Sequence, residues 1–91
     1  NIVRVIPDTM GISVDLNSWE QPAVFQWLQQ QGNIERAEML RTFNCGIGMV
    51  LVVPEATAML VQQACTDLGE HCIDIGSVVA LDAGGERVTY Q

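Results

Sequence analysis

The chain has 91 residues, enough for one domain, and 48% of them are apolar, which is sufficient for a hydrophobic core. Eleven acidic residues against four arginines and no lysine give a net charge of -7. This balance argues against binding to nucleic acid or to an anionic membrane, and against holding a nucleoside triphosphate unaided, because each needs positive potential. The longest apolar run, Met49 to Val53, is far shorter than the roughly 20 residues that span a bilayer.

The chain shows no signal or transit peptide, and it begins at Asn1 without an initiator methionine. We therefore expect residues 1–91 to be a single partial domain of a longer protein. The three cysteines, Cys45, Cys65 and Cys72, are odd in number and lack the C-x-x-C spacing of a zinc or redox site. We expect them to be reduced packing residues of a cytoplasmic protein and predict no metal site among them.

Alternating apolar residues predict a first, half-buried strand from Met10 to Leu16. Pro22 suits the first turn of a helix that ends at Gly32. Asn33 is then expected to cap a second helix, which ends near Thr42. The predicted buried face of the first helix consists of Val24, Trp27, Leu28 and Gln31.

A second strand is predicted from Gly46 to Val53, with both faces of its apolar half covered. A third helix begins at Pro54 and ends at Gly69, and a third strand runs from Cys72 to Leu81 with a bulge or bend at Gly76. The buried face of that helix is predicted to hold Leu60, Val61, Ala64, Cys65 and Leu68.

Residues 83–86 (Ala-Gly-Gly-Glu) predict a hairpin turn, because paired glycines supply positive φ, and residues 87–90 form the return strand. The order is then strand, helix, helix, strand, helix, strand, strand. This order predicts an α+β fold, an α/β-like layer in which helices pack on a mixed sheet.

The segment from Arg41 to Met49 is the most unusual part of the chain. Gly46 and Gly48 weaken the predicted strand, and one physical reason for such glycines is close approach of the backbone to a ligand. Asn44 stands beside them with two hydrogen-bond donors and one acceptor. The alternative is a bulge with a turn-forming asparagine, and residue pattern alone does not exclude it.

A second candidate segment is residues 1–7, where Arg4 stands among aliphatic residues. Its guanidinium can fork onto a carboxylate or a phosphate, but it can equally reach the surface or pair with one of the many acids. Glu35 and Glu38, one helical turn apart, are expected to be a solvated helix face. His71 has no neighbouring nucleophile, and no catalytic residue is assigned.

The residues resemble a known family. The string Asn-Ile-Val-Arg-Val-Ile-Pro (1 to 7), Trp19 with the helix that follows, and above all Glu-Met-Leu-Arg-Thr-Phe-Asn-Cys-Gly-Ile-Gly-Met (38 to 49) are similar to the C-terminal part of phosphoribosylformylglycinamidine cyclo-ligase, or aminoimidazole ribonucleotide (AIR) synthetase. The likeness covers essentially the whole chain, as roughly the last quarter of that enzyme. The glycines of the family's Gly-Gly-Gly-Leu segment are absent, and Val3 replaces its usual proline.

The resemblance implies a ligase of purine biosynthesis. Such an enzyme uses ATP to activate the formyl-derived oxygen of formylglycinamidine ribonucleotide, and a substrate nitrogen then closes the imidazole ring as ADP and phosphate leave. It further implies that ATP and Mg²⁺ are bound mainly by an N-terminal region outside this chain, that the parent is a homodimer, and that the 91 residues alone are inactive.

Carried over from the family, the substrate-binding residues would be Asn1 and Arg4, as the end of the glycine-rich segment, and Asn44, Gly46 and Gly48, beside the cleft; Arg41 and Phe43 are weaker candidates. Two alternatives remain. The chain could be a non-catalytic module that self-associates through exposed apolar surface, or part of another superfamily member such as formylglycinamidine ribonucleotide synthetase.

Overall fold

A computed structural model describes residues 1–82 and 84–91 of the chain. The chain divides into two units, one made of residues 1–19 with 52–91 and the other of residues 20–51. The first unit carries a three-stranded mixed sheet and one helix, and the second carries two helices. The predicted α+β class is therefore confirmed.

The centre of the sheet is β1 (Met10–Val14), where the alternating pattern predicted a strand. β2 (Gly76–Ala80) pairs with one edge of β1 in antiparallel orientation, and β3 (Val88–Tyr90) pairs with the other edge in parallel orientation. Ile12 and Val14 are buried as the alternation predicts, and Ile6 from the preceding segment is the third buried apolar residue of this unit.

The predicted hairpin between the last two strands is wrong. A turn does form, since the amide of Gly85 donates to the carbonyl of Asp82 at 2.9 Å and Gly84 has a φ of 79°. Ala83, the first residue of the predicted turn, lies outside the described residues. The strands on either side of the turn do not pair with each other, because each takes a separate edge of β1.

The helix of the first unit, α3 (Ala58–Asp67), follows Pro54 and a 3₁₀ turn, Glu55–Thr57. It ends in a Schellman-type cap, in which the amide of Glu70 donates to the carbonyl of Cys65 at 2.8 Å and Gly69 has a φ of 83°. Only part of its predicted buried face is covered, because Leu60, Ala64 and Leu68 are exposed. The half-buried stripe consists of Ala58, Val61, Gln62 and Cys65.

The two helices of the second unit are α1 (Ala23–Gly32) and α2 (Arg36–Thr42). Asn33 has a φ of 49° and caps the C-terminus of α1 instead of the N-terminus of α2, which begins after Glu35. This is a correction to the predicted capping role. The positive φ that a helix end favours falls on the asparagine and not on the adjacent glycine.

The packing of the second unit also differs from the predicted stripe. Phe25 of α1 lies against Phe43, with ring centroids 6.1 Å apart and planes inclined by 57°. Val24, Trp27 and Gln31, predicted on the buried face of α1, are exposed, and Leu28 of that face is half-buried. The fully buried side chain of this unit is Met39 of α2.

The predicted strand from Gly46 to Val53 does not form, and this segment contains no regular secondary structure. A strand needs a partner for its backbone groups, and the three-stranded sheet of order β2-β1-β3 does not include this segment. The side chains of Met49 and Leu51 are exposed, so the expected cover on both faces is also absent. The described residues therefore form one strand fewer than predicted.

Candidate functional site

The candidate site is centred on a tight turn over residues 44–47. The amide of Ile47 donates to the carbonyl of Asn44 at 3.0 Å. Both central residues have positive φ, 52° at Cys45 and 107° at Gly46. Two successive positive φ values are the signature of a type I′ turn, which explains the glycine, since few side chains tolerate that backbone region.

The Asn44 side chain helps to close this turn. Its Oδ1 accepts a hydrogen bond from the amide of Gly46 at 2.8 Å, as in an Asx turn. The residue is exposed, and within the described part of the chain its Nδ2 makes no hydrogen bond. The turn-forming alternative considered for Asn44 is therefore correct for the oxygen, and the two N–H donors face solvent.

Cys45 fixes the turn to the end of α2. Its thiol is buried and lies 3.7 Å from the carbonyl oxygen of Met39 and 3.8 Å from that of Phe43. Burial raises the pKa of the Cys45 thiol, and a hydrogen bond with Gln21 partly opposes that rise. Cys45 is thus the packing residue that the sequence predicted, and it acts as an anchor for the exposed residues on either side.

The two glycines expose backbone in different ways. Gly46 supplies the positive φ of the turn, whereas Gly48 follows it and has no atom within 4 Å of the position that a Cβ would occupy. Both residues are exposed. The backbone at Gly46 and Gly48 is therefore accessible to a small molecule, although it does not lie on the predicted strand.

Arg41, a weaker candidate, is occupied by a neighbouring acid. Its Nη2 forms a hydrogen-bonded ion pair with Glu38 Oε2, and Thr42 Oγ1 donates to the other carboxylate oxygen at 3.2 Å. The hydrogen bond from Arg41 is the main cause that lowers the pKa of Glu38, although desolvation opposes it. Glu38 and its partners form the solvated helix face expected from the sequence.

Asn1 and Arg4 belong to the other unit of the chain. Asn1 precedes a 3₁₀ turn, Ile2–Val5, and its carbonyl accepts from the amide of Arg4 at 3.1 Å. Both residues are exposed, and among the described residues no acid pairs with the Arg4 guanidinium. The candidate residues are thus two sets on two units, Asn1 with Arg4 and Asn44 with the glycines.

Arg87 is an arginine that the sequence reasoning missed. Its side chain is half-buried, and its guanidinium donates to backbone carbonyls of the segment that carries Arg4. The only sequence signal was its position at the start of the last predicted strand, two residues after Gly85 of the predicted turn. Nothing local in the sequence indicated contacts with residues about 80 positions away.

Residues 1–82 and 84–91 offer neither a metal-binding cluster nor a membrane-spanning helix. No group of three or more His, Cys, Asp or Glu side chains is arranged to hold a metal ion. No helix there is both long enough and apolar enough to cross a lipid bilayer. Cys65 and Cys72 are free cysteines, not joined in a disulfide. The pKa of Cys72 is raised chiefly by burial and, to a smaller extent, by the neighbouring Cys65 thiol.

The fold and the exposed turn together define an α+β domain in which a glycine-containing backbone segment is presented to solvent. Residues 1–89 match the family described as AIR synthase related protein, C-terminal domain, and the chain belongs to this family. The match spans both units of the chain. It points to an enzyme of the AIR synthase-related group.

Proposed function

We propose that the chain is the C-terminal part of a phosphoribosylformylglycinamidine cyclo-ligase. Such an enzyme would close the imidazole ring of aminoimidazole ribonucleotide with ATP during purine biosynthesis. The observation that carries the proposal is the family match over residues 1–89, combined with the string from Glu38 to Met49. Formylglycinamidine ribonucleotide synthetase is the competing member of the superfamily.

In this proposal the turn at residues 44–48 contacts the substrate. Gly46 and Gly48 let a ligand approach the backbone, and the Nδ2 of Asn44 donates a hydrogen bond to it. The exposure of all three residues supports this role. The Cys45 anchor would keep the turn rigid, which lowers the entropy lost on binding.

Asn1 and Arg4 are proposed as the second set of substrate contacts. Arg4 is exposed and carries no acidic partner in the described part of the chain, so its guanidinium is available for an anion. A ribonucleotide substrate carries a phosphate, and a guanidinium can hold that group with two parallel hydrogen bonds. Asn1 would add neutral donors beside it.

ATP and Mg²⁺ are proposed to bind mainly to other parts of the parent enzyme. Magnesium needs carboxylate ligands beside the phosphates, and the described residues contain no cluster of three or more such side chains. The net charge of -7 also disfavours a polyphosphate on this chain alone. A homodimeric parent located in the cytoplasm completes the proposal.

The decisive experiment uses the intact protein that contains this chain. A cyclo-ligase consumes formylglycinamidine ribonucleotide with ATP, whereas the synthetase would produce it. We expect the intact protein to convert formylglycinamidine ribonucleotide to aminoimidazole ribonucleotide with one ADP formed per turnover, and the 91-residue chain to be inactive. Formation of formylglycinamidine ribonucleotide by the intact protein would instead identify the synthetase.

The second candidate is a non-catalytic module that self-associates. Exposed apolar residues favour it, since Met49 is 84% exposed and the apolar residues up to Val53 are also exposed. The open edges of β2 and β3 add unpaired backbone groups. Sedimentation of the 91-residue chain over a hundredfold range of concentration tests this candidate, and a monomer throughout would contradict it.

A further inference from the structure

Arg87 connects the last strand to the first ten residues of the chain. Its Nη2 lies within hydrogen-bonding distance of three carbonyl oxygens, which share its two N–H groups: those of Val3 at 3.2 Å, Ile6 at 3.4 Å and Pro7 at 3.0 Å. Its Nε donates to the carbonyl of Met10 at 3.3 Å. One guanidinium therefore holds most of the segment that carries Arg4.

The backbone of Arg87 is itself fixed by the sheet. Its carbonyl accepts from the amide of Ile12 at 2.7 Å, next to the parallel pairing of β1 with β3. Gly11 permits this approach, because a Cβ at that position would lie 2.8 Å from the Arg87 carbonyl oxygen. The backbone from which the guanidinium extends is thus bonded to β1, immediately before β3 begins.

These contacts need the chemistry of arginine. A guanidinium is planar, remains charged and carries five N–H donors in a fixed fork, so it can serve several carbonyls at once. A lysine ammonium carries its three donors on one nitrogen, so it cannot bind the Met10 carbonyl together with the carbonyls that surround Nη2. Asp8 adds little, because its carboxylate is fully exposed and lies 3.9 Å from Nη1.

We propose that Arg87 is a positioning residue that sets the orientation of residues 1–7 and thereby places Arg4 for its anion. Its donors are directed to carbonyl oxygens, so it acts through the segment and does not touch the ligand. The link to the substrate rests on the proposed function. The structural part, that Arg87 holds the segment, is independent of it.

The structural part is tested by amide hydrogen exchange in the 91-residue chain. Arg87→Lys should speed exchange of the amides of Arg4, Ile6 and Met10 by about tenfold, because loss of the guanidinium bonds loosens their local turns. Amides of α1 should be unchanged. Arg36→Lys, at an exposed arginine of α2, is the matched control and should alter none of the three.

A second variant distinguishes the loss of the guanidinium contacts from a general loss of folding. In Arg87→Ala, millimolar guanidinium ion should restore the slow exchange of the three amides, whereas equal ammonium should not. A general folding defect would not respond to guanidinium in this selective way. Unchanged exchange in both variants, or rescue by ammonium alone, would overturn the proposal.

The link to the substrate is tested in the intact protein by steady-state kinetics. Arg4→Gln and Arg87→Lys should each raise KM for formylglycinamidine ribonucleotide severalfold with little change in kcat, and the double variant should be no worse than Arg4→Gln. An effect of Arg4→Gln without one of Arg87→Lys overturns the positioning role. If Arg4→Gln has no effect while the exchange result holds, the proposed substrate contact fails and the structural role of Arg87 stands.

Discussion

Gly76, the first residue of β2, lies so close to β1 that a Cβ built on it would be 1.9 Å from the carbonyl oxygen of Ser13. The sequence predicted a bulge or bend at this glycine. The structure instead shows a regular antiparallel pair, with Gly76 opposite Val14, in which the absence of a side chain permits the approach.

Gly76→Ala should therefore destabilise the first unit by about 1–3 kcal/mol, the range for overpacking a site that cannot relax easily. The backbone of β1 cannot move aside, since β3 holds its other edge. Urea unfolding of the 91-residue chain measures this. Gly48→Ala is the matched control, because its Cβ meets no atom within 4 Å, and equal midpoints for the two variants would contradict the packing argument.

Gly46→Ala should destabilise the turn at residues 44–47 by about 1–3 kcal/mol, for a different reason. The φ of 107° at Gly46 lies in a region that L side chains rarely adopt, so the cost is backbone strain. The turn should become more mobile, which increases the exchange of the Ile47 amide. A variant with the stability and exchange of the wild type would show that the turn is not required.

The Cys45 thiol gives an alkaline pH dependence. Because burial raises its pKa in the folded chain, the folded state favours the protonated thiol, and this contribution to stability is complete below the ordinary thiol pKa of about 8.5. It is lost as pH rises through the folded pKa. The difference in unfolding free energy between wild type and Cys45→Ala should shrink above about pH 8.5. A constant difference up to pH 10 would contradict this.

The contribution of Glu38 to folding stability has the opposite pH dependence, and it changes at low pH. Its pKa is lowered chiefly by the hydrogen bond from Arg41, so its contribution to stability is present above the ordinary glutamate pKa and lost as pH falls through the folded value. Titration by NMR should therefore show a lower pKa for Glu38 in wild type than in Arg41→Gln. The effect on stability should be small, since both side chains are exposed.

Local patterns located most of the regular elements. The alternation from Met10, the helix between Pro22 and Gly32, and the helix before Gly69 were all predicted near their observed positions, because each depends on neighbours in sequence. The strand expected after Gly46 was wrong, since an apolar run does not reveal whether a partner edge is available. The pairing of β3 with β1 is likewise a non-local choice.

The site residues also divide into those that local sequence patterns reveal and those that depend on non-local contacts. Asn44 and Gly46 could be recognised because an Asx turn and a positive φ are local properties. Their proposed contact with a ligand came from family resemblance and stays a prediction. Arg87 could not be found, because its acceptors in residues 3–10 are brought to it only by the parallel pairing of β3 with β1.

Two substitutions of Asn44 distinguish its role in the turn from its proposed role in binding a ligand. Asn44→Asp keeps an acceptor for the amide of Gly46 and so retains the turn, but it removes the two N–H donors. Asn44→Ala removes both and should cost about 1 kcal/mol of turn stability. Urea unfolding of the 91-residue chain should rank Asn44→Asp close to wild type and above Asn44→Ala.

The most direct test of the account is kcat/KM for formylglycinamidine ribonucleotide in the intact protein carrying Asn44→Asp. If the exposed turn binds the substrate, kcat/KM should fall at least about tenfold, the loss expected when a ligand acceptor faces an acceptor in place of a donor. The urea unfolding midpoint should be unchanged. Wild-type kcat/KM with an unchanged midpoint would show that the turn at residues 44–48 does not contact the substrate.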